Sequence, residues 1–177
     1  MKKRQLDHLL RAAGVITGDT QFVIIGSQAL HGKYPDLPDA IHVSAEADLI
    51  AKNKPLLTEL LNSIGQESLF HETHGVYADP VDETTATLPD GWQGRLVNLP
   101  EGDTNGVRGL CLEPHDLAVS KYVAWREKDQ VFTRELVRRR LLDREKLLTL
   151  LAMTKVSEEL RSLIRSRIER DFKAAGD

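Results

Sequence analysis

Proline and glycine are distributed along this chain in a way that constrains its fold more than any other feature. All seven prolines lie at or before Pro114, and beyond it Gly176 is the only glycine, while Leu, Arg, Lys and Glu become dense. Proline breaks helices through its missing amide and a steric clash, and glycine weakens them through backbone entropy. A stretch without them that is rich in helix formers reads as helix. The chain is therefore expected to be α+β, with a small mixed-sheet α/β core over 1–112 and a C-terminal helical segment over 113–177 packed on that core.

Within the first part, Leu6, Leu9, Leu10 and Ala13 share a helical face, with Gly14 as the expected stop. Phe22-Val23-Ile24-Ile25 reads as a strand buried on both faces that runs into Gly26-Ser27 and a short helix. Pro35 and Pro38 mark a loop, and 40–50 alternates as a strand in which Ile41 and Val43 share one face and Glu46 and Asp48 share one face. Asn53 is the expected cap of a helix over 55–64, with Leu56, Leu57, Leu60, Leu61 and Ile64 as its stripe and Gly65 as its stop. From 66 to 112, short strands are expected near 75–78, 95–99 and 109–112, separated by loops. Helices follow near 114–126, 129–141, 143–153 and 157–174, with Asp143 and Ser157 as caps.

Charge is also unevenly spread. Residues 1–120 hold 9 basic and 17 acidic side chains, and residues 121–177 hold 15 basic and 10 acidic. The 41% hydrophobic content excludes wholesale disorder, and a lone Cys111 excludes an internal disulfide or a thiolate metal cluster. The basic start Met1-Lys2-Lys3-Arg4 is followed by Gln5, Asp7, His8 and Arg11, which interrupt the apolar run a signal peptide needs. No run approaches the roughly 20 apolar residues of a membrane span. A cytoplasmic protein without a membrane partner is expected.

Three elements carry chemistry. Gly26-Ser27 after a buried strand lets a ligand approach the backbone, and the helix start beyond it offers amides to phosphate; a simple turn explains the same dipeptide. Glu46 and Asp48, two apart on a strand, can hold a hard divalent cation such as Mg²⁺, or simply form a solvated acidic face. Lys121 and Lys128, seven apart on one unbroken helix, would present two ammonium groups to a polyphosphate; ion pairs along a solvated helix are the alternative.

In their order along the chain, these elements resemble the nucleotidyltransferase superfamily of the polymerase-β type, and in particular a small bacterial branch related to the abortive-infection nucleotidyltransferase toxins. The resemblance runs over about residues 20–140. It rests on Gly26-Ser27-Gln28-Ala29-Leu30, Ser44-x-Glu46-x-Asp48-Leu49, Lys121, and Arg126-Glu127-Lys128-Asp129. Ala86-Thr87-Leu88-Pro89-Asp90-Gly91-Trp92 and Pro114-His115-Asp116-Leu117 mark kinship with an uncharacterised branch of that group.

The resemblance implies that Gly26, Ser27 and Lys121 bind the nucleotide phosphates, that Glu46 and Asp48 bind metal, and that Lys121 and Asp129 belong with them to the catalytic set. Glu46 stands where the family usually has Asp. A third acid is expected from a later strand, with Asp79 the first choice and Asp82 the second, although Asp79-Pro80 also reads as a turn.

The activity implied is Mg²⁺-dependent transfer of a nucleoside monophosphate from an NTP to a hydroxyl of RNA, tRNA included, or of protein. A toxin role with an antitoxin partner is one setting for it. The alternative is a catalytically weak or inactive protein of this fold that binds a nucleotide or a partner protein.

The remaining candidates have plainer readings. His71-x-x-His74 lacks a third zinc ligand at recognisable spacing and reads as surface histidines. His115 reads as a local hydrogen-bonding residue and Cys111 as core. Trp92 and Trp125 are packing anchors, with base stacking an alternative for Trp125. Arg138, Arg139, Arg140 and Arg144 form a basic cluster suited either to a nucleic-acid backbone or to a solvated helix face.

Overall fold

Leu6, Leu9, Leu10 and Ala13 are fully buried on the inner face of the first helix, α1 (Lys3–Thr17). The computed structural model describes residues 1–36 and 44–176. The positions of Pro38, Ile41 and Val43 lie outside the described residues. The chain forms two compact units, Met1–Thr85 with Leu96–Leu112, and Ala86–Arg95 with Glu113–Asp177.

The first unit is built on one five-stranded mixed sheet. Its strands are β1 (Gln21–Ile24), β2 (Glu46–Ala51), β3 (Tyr77–Pro80), β4 (Val97–Asn98) and β5 (Arg108–Cys111), in the order β3-β2-β1-β5-β4. The central β1 runs antiparallel to β2 and parallel to β5, and β2 runs parallel to β3. Phe22, Val23 and Ile24 are all buried, which accounts for the continuous apolar run of β1. On β2 and β3, Ala47, Leu49 and Ala78 are buried, and the alternating positions Glu46, Asp48, Tyr77 and Asp79 are left more accessible.

Several local expectations are corrected here. Gly14 lies inside α1, where a Cβ would come within 2.5 Å of the Val107 side chain; Gly18, at φ 64°, provides the left-handed stop instead. Residues Pro55–Ile64 form a 3₁₀ helix, not an α-helix. Thr58, Leu61 and Ile64, each three residues apart, are its buried ridge, as three residues per turn require, whereas Leu56 is 93% exposed. Its entry is not capped by Asn53. The buried carboxylate of Asp19 accepts from the amides of Asn53 at 2.8 Å and Lys54 at 2.9 Å. A further helix, α2 (Leu69–His74), is capped by the Ser68 hydroxyl and closed by Gly75 at φ 68°.

The second unit is helical: α3 (Pro114–Ala124), α4 (Glu127–Arg138), α5 (Arg144–Ala152) and α6 (Glu158–Ala175). Asp143 and Ser157 cap α5 and α6 through the amides of Lys146 and Leu160, contacts each worth about 1 kcal/mol. The helix through Lys121 does not continue to Lys128. Trp125 adopts φ 52° and ends α3, so the two lysines sit on different helices and the shared-face reading fails.

The segment Ala86–Arg95 belongs with these helices for visible reasons. Asp90 donates its amide to Met153, Pro89 bridges Thr154, and Trp92 is buried. Arg95 grips the fully buried Asp116 with two hydrogen bonds of 2.9 and 2.7 Å. Arg95 lies just beyond the first of the two stretches that marked kinship and links it to the second, donating to the Pro89 and Asp90 carbonyls as well as to Asp116.

Candidate functional site

β1 ends at Ile24, and the chain turns through Gly26 into a 3₁₀ segment, Ser27–Gly32. The Ile25 amide donates to the Asp48 carbonyl at 3.1 Å, which sets this turn against β2. A Cβ on Gly26 would overlap the Asp48 carboxylate. The glycine is therefore required by proximity to an acid, not by a left-handed backbone, since its φ is −78°. Gln28 of the same segment, itself buried, donates to the Ser44 carbonyl at 3.0 Å and ties the turn to the entry of β2.

The face of β2 next to this turn is acidic. Glu46 and Asp48 are on one side of the strand, and the parallel register sets Tyr77 beside Glu46 and Asp79 beside Asp48. The Tyr77 hydroxyl donates to Glu46 Oε2 at 3.2 Å. Asp79 titrates above the ordinary aspartate value, first from desolvation and then from the charge of Glu46. The Tyr77 phenol is raised by desolvation and by the same acids, Glu46 foremost, so it stays protonated and able to donate.

Of the two candidates for a third acid, Asp79 stands in register with Asp48, inside β3 and not in a turn; Pro80 closes that edge strand, where its missing amide breaks no ladder. Asp82 is exposed, and its carboxylate accepts from the Thr84 amide at 2.7 Å, which makes it a turn residue.

These carboxylates are hard oxygen donors of the kind Mg²⁺ takes. Among the described residues no group of three or more His, Cys, Asp or Glu side chains is arranged to hold a metal ion. Mg²⁺ commonly uses one or two carboxylates and completes its shell with water and substrate phosphates, so a Glu46–Asp48 pair fits the ion without a preformed cage.

Lys121 and Asp129 come together in the helical unit. Lys121 Nζ lies 3.4 Å from Asp129 Oδ1, and Arg126 Nε lies 2.7 Å from Asp129 Oδ2. The Asp129 carboxylate also accepts from the Arg126 amide at 3.1 Å, so it caps α4. Burial alone would raise this acid, but the bonds from Arg126 and the charge of Lys121 hold it below the ordinary value.

A second buried knot lies at the start of α3. Glu113 accepts from the His115 amide at 2.7 Å, from His115 Nδ1 at 3.0 Å and from Lys146 Nζ at 2.8 Å, and it is held far below the usual carboxylate range against the opposing effect of burial. The Asp143 amide donates to His115 Nε2 at 2.8 Å, so this imidazole is a two-sided connector, as expected.

The other candidates are accounted for by packing. Burial pushes the Cys111 thiol up to about 12, which leaves it inert. Arg11 donates to His8 Nδ1 at 2.7 Å, so the hydrogen of neutral His8 is on Nε2 and points at His74 Nε2, 3.3 Å away. That is a hydrogen-bonded pair, and the Arg11 cation beside it opposes a zinc ion. The Trp125 ring is stacked on Tyr122 and carries the Arg167 guanidinium 4.2 Å from its centroid. Of the arginine cluster, Arg138 and Arg139 pair with Glu135, and Arg144 pairs with Glu145 and Glu169.

Tyr77 escaped the sequence reading. Strand alternation from Asp79 would have placed it on the acidic face, but its partner depends on register with a residue 31 positions away.

A family model described as a nucleotidyltransferase of unknown function (DUF6036) matches residues 4–174. The chain belongs to that family. No curated protein matches the chain. No solved structure matches it either. The family match spans both units of this nucleotidyltransferase-family protein, including the Gly26 turn, the acidic strand face and the Lys121–Asp129 pair. No helix among the described residues is long and apolar enough to cross a membrane.

Proposed function

We propose that this chain is a Mg²⁺-dependent nucleotidyltransferase that moves a nucleoside monophosphate from an NTP to an acceptor hydroxyl of RNA or protein and releases pyrophosphate. The observation that carries the reading is the contact between Gly26 and Asp48. The bare glycine lets the Asp48 carboxylate lie directly against the turn that would border the phosphates, and a residue with a side chain there would push acid and turn apart.

In this reading Gly26 and Ser27 border the triphosphate, and Glu46 and Asp48 would hold the ion. The ion would supply charge neutralisation at the transferred phosphoryl group. The acceptor oxygen bonds to the α-phosphorus as the bond to the β-phosphate oxygen breaks, and pyrophosphate leaves with that electron pair. The hydroxyl proton passes to Asp79, whose raised proton affinity suits a base. Most of the work is positioning and electrostatics. The resemblance, and not a contact with the Gly26 turn, assigns Lys121, which pairs with Asp129, to the nucleotide phosphates, and on that assignment Lys121→Met is expected to raise the KM for NTP more than it lowers kcat.

The test is incubation of the purified protein with α-labelled NTPs and Mg²⁺, in one arm with total RNA and in another with total protein. Label transfer and pyrophosphate release that Asp48→Ala abolishes support the reading and identify the acceptor class. Metal-independent nucleotide binding with no pyrophosphate release favours a binding protein of the same fold. If RNA is the acceptor, binding should fall steeply with added salt. The resemblance to abortive-infection toxins extends the proposal to a toxin neutralised by an antitoxin, for which growth arrest on expression should be relieved by Asp48→Ala.

A further inference from the structure

Glu46 is longer than an aspartate by one methylene, about 1.5 Å of extra reach, and has one more torsion to fix. A ligand of that length needs a second contact if its carboxylate is to stay in one place, and partners beyond the first ligands commonly set metal affinity. β3 supplies such a contact. Tyr77 is the register partner of Glu46 on the parallel strand, its amide donates to the Ala45 carbonyl at 3.0 Å, and its ring packs 4.6 Å from that of His71. The backbone and the ring of Tyr77 are thus both fixed, and its hydroxyl donates to Glu46 Oε2 at 3.2 Å.

We propose that Tyr77 is a positioning residue that compensates for the length of Glu46, holding Oε2 through its phenol so that the carboxylate faces a divalent cation together with Asp48. This inference rests on the metal-dependent reading above. A carboxylate offers about four lone-pair sites and the phenol takes one of them, so the contact orients the ligand without blocking it. Asp79, two residues on and beside Asp48, lies on the same face as Tyr77. β3 therefore provides a supporting hydroxyl at one rung and an acid at the next.

The experiment is a titration of the full chain with Mn²⁺ alone, followed by the loss of the free-ion EPR signal, with no turnover involved. Wild type should bind, and Asp48→Asn should abolish that binding. Tyr77→Phe should weaken it by roughly tenfold, the lower end of what loss of a supporting contact does to metal affinity. Glu46→Asp withdraws the carboxylate from the phenol, so adding Tyr77→Phe to Glu46→Asp should change affinity by less than about twofold. Equal binding by Tyr77→Phe and wild type overturns the proposal. So does a loss from Tyr77→Phe that is the same with and without Glu46→Asp, which would mean that the hydroxyl acts through strand packing. An absence of Asp48-dependent binding in wild type overturns the metal reading itself, and this inference with it.

Discussion

The acids on the β2–β3 face and those buried in the helical unit live under opposite electrostatic regimes. In the helical unit, Asp129 is held by Arg126 and Lys121, Glu113 by His115 and Lys146, and Asp116 by Arg95. Asp129 and Glu113 both titrate below their ordinary values. In the sheet unit, Glu46 accepts from a phenol, Asp48 has Asp79 as its register neighbour, and Asp79 titrates above its ordinary value partly because of Glu46. In the helical unit the buried acids are met by hydrogen-bond donors and cations, and Asp129 and Glu113 are depressed by them. Acids crowded against one another repel, which costs stability, and the metal site proposed above would give that cost a use.

The largest expected effect is in the helical unit. Glu113→Ala would leave the buried His115 amide and ring N–H without their acceptor, while the half-exposed Lys146 ammonium turns to water, and the loss of these bonds costs about 2–3 kcal/mol. Urea denaturation should show a loss of that size. A loss below about 1 kcal/mol, the ceiling for an exposed ion pair, would mean that the acids of this unit are not structural, and the contrast with the sheet unit would collapse.

Gly26→Ala sharpens the contrast from the other side. The added methyl meets the Asp48 carboxylate, so the turn or the strand must shift, at a cost of about 1–3 kcal/mol. Asp48-dependent Mn²⁺ binding should be lost along with any label transfer. A variant that keeps wild-type Mn²⁺ affinity would show that Gly26 is an ordinary turn residue.

The acid face was legible in the sequence because alternation on a strand needs no tertiary information, and Asp143 and Ser157 could be read as caps because capping is local. The helix at 55–64 misled because Leu56, Leu57, Leu60 and Leu61 fit an α-helical stripe, whereas burial follows every third residue. Trp125 takes a left-handed conformation without the glycine that normally signals one, so the break between α3 and α4 had no punctuation. Likewise, Asp19 holds the entry to a helix more than thirty residues away, and Tyr77 meets Glu46 through strand register. Contacts of that range are set by topology, which composition and periodicity do not encode.

The two regimes also separate by pH. Glu113 and Asp129 have folded values below their unfolded ones, so the stability they give is fully present above the unfolded carboxylate value near about 4, and it is lost as pH falls through the folded values. Asp79 has the opposite sign. Its folded value lies above the unfolded one, so the fold is favoured while the proton is held, and that contribution disappears as pH rises through the folded value. Urea midpoints measured from about pH 3 to about pH 7 should rise with pH in wild type, and this rise should flatten in Glu113→Gln and Asp129→Asn. An unchanged acid limb in both variants would remove the helical unit from the acid response.

The smallest effect is also the most selective one. Asp79→Asn replaces an acid beside Asp48 with a neutral group of the same shape, and like charges side by side on adjacent strands cost about 0.2–1 kcal/mol. At neutral pH the variant should be more stable than wild type by a few tenths of a kcal/mol up to that limit. At a pH low enough to protonate Asp79 in wild type the gain should vanish, because there the two proteins carry the same charge. Label transfer should fall even as stability rises, since the proposed base is gone. Asp129→Asn in the other unit should lower stability at neutral pH. If both substitutions moved stability in the same direction, the acids of the β2–β3 face and of the helical unit would be under one regime, and the sheet face would lose its distinction as the crowded one.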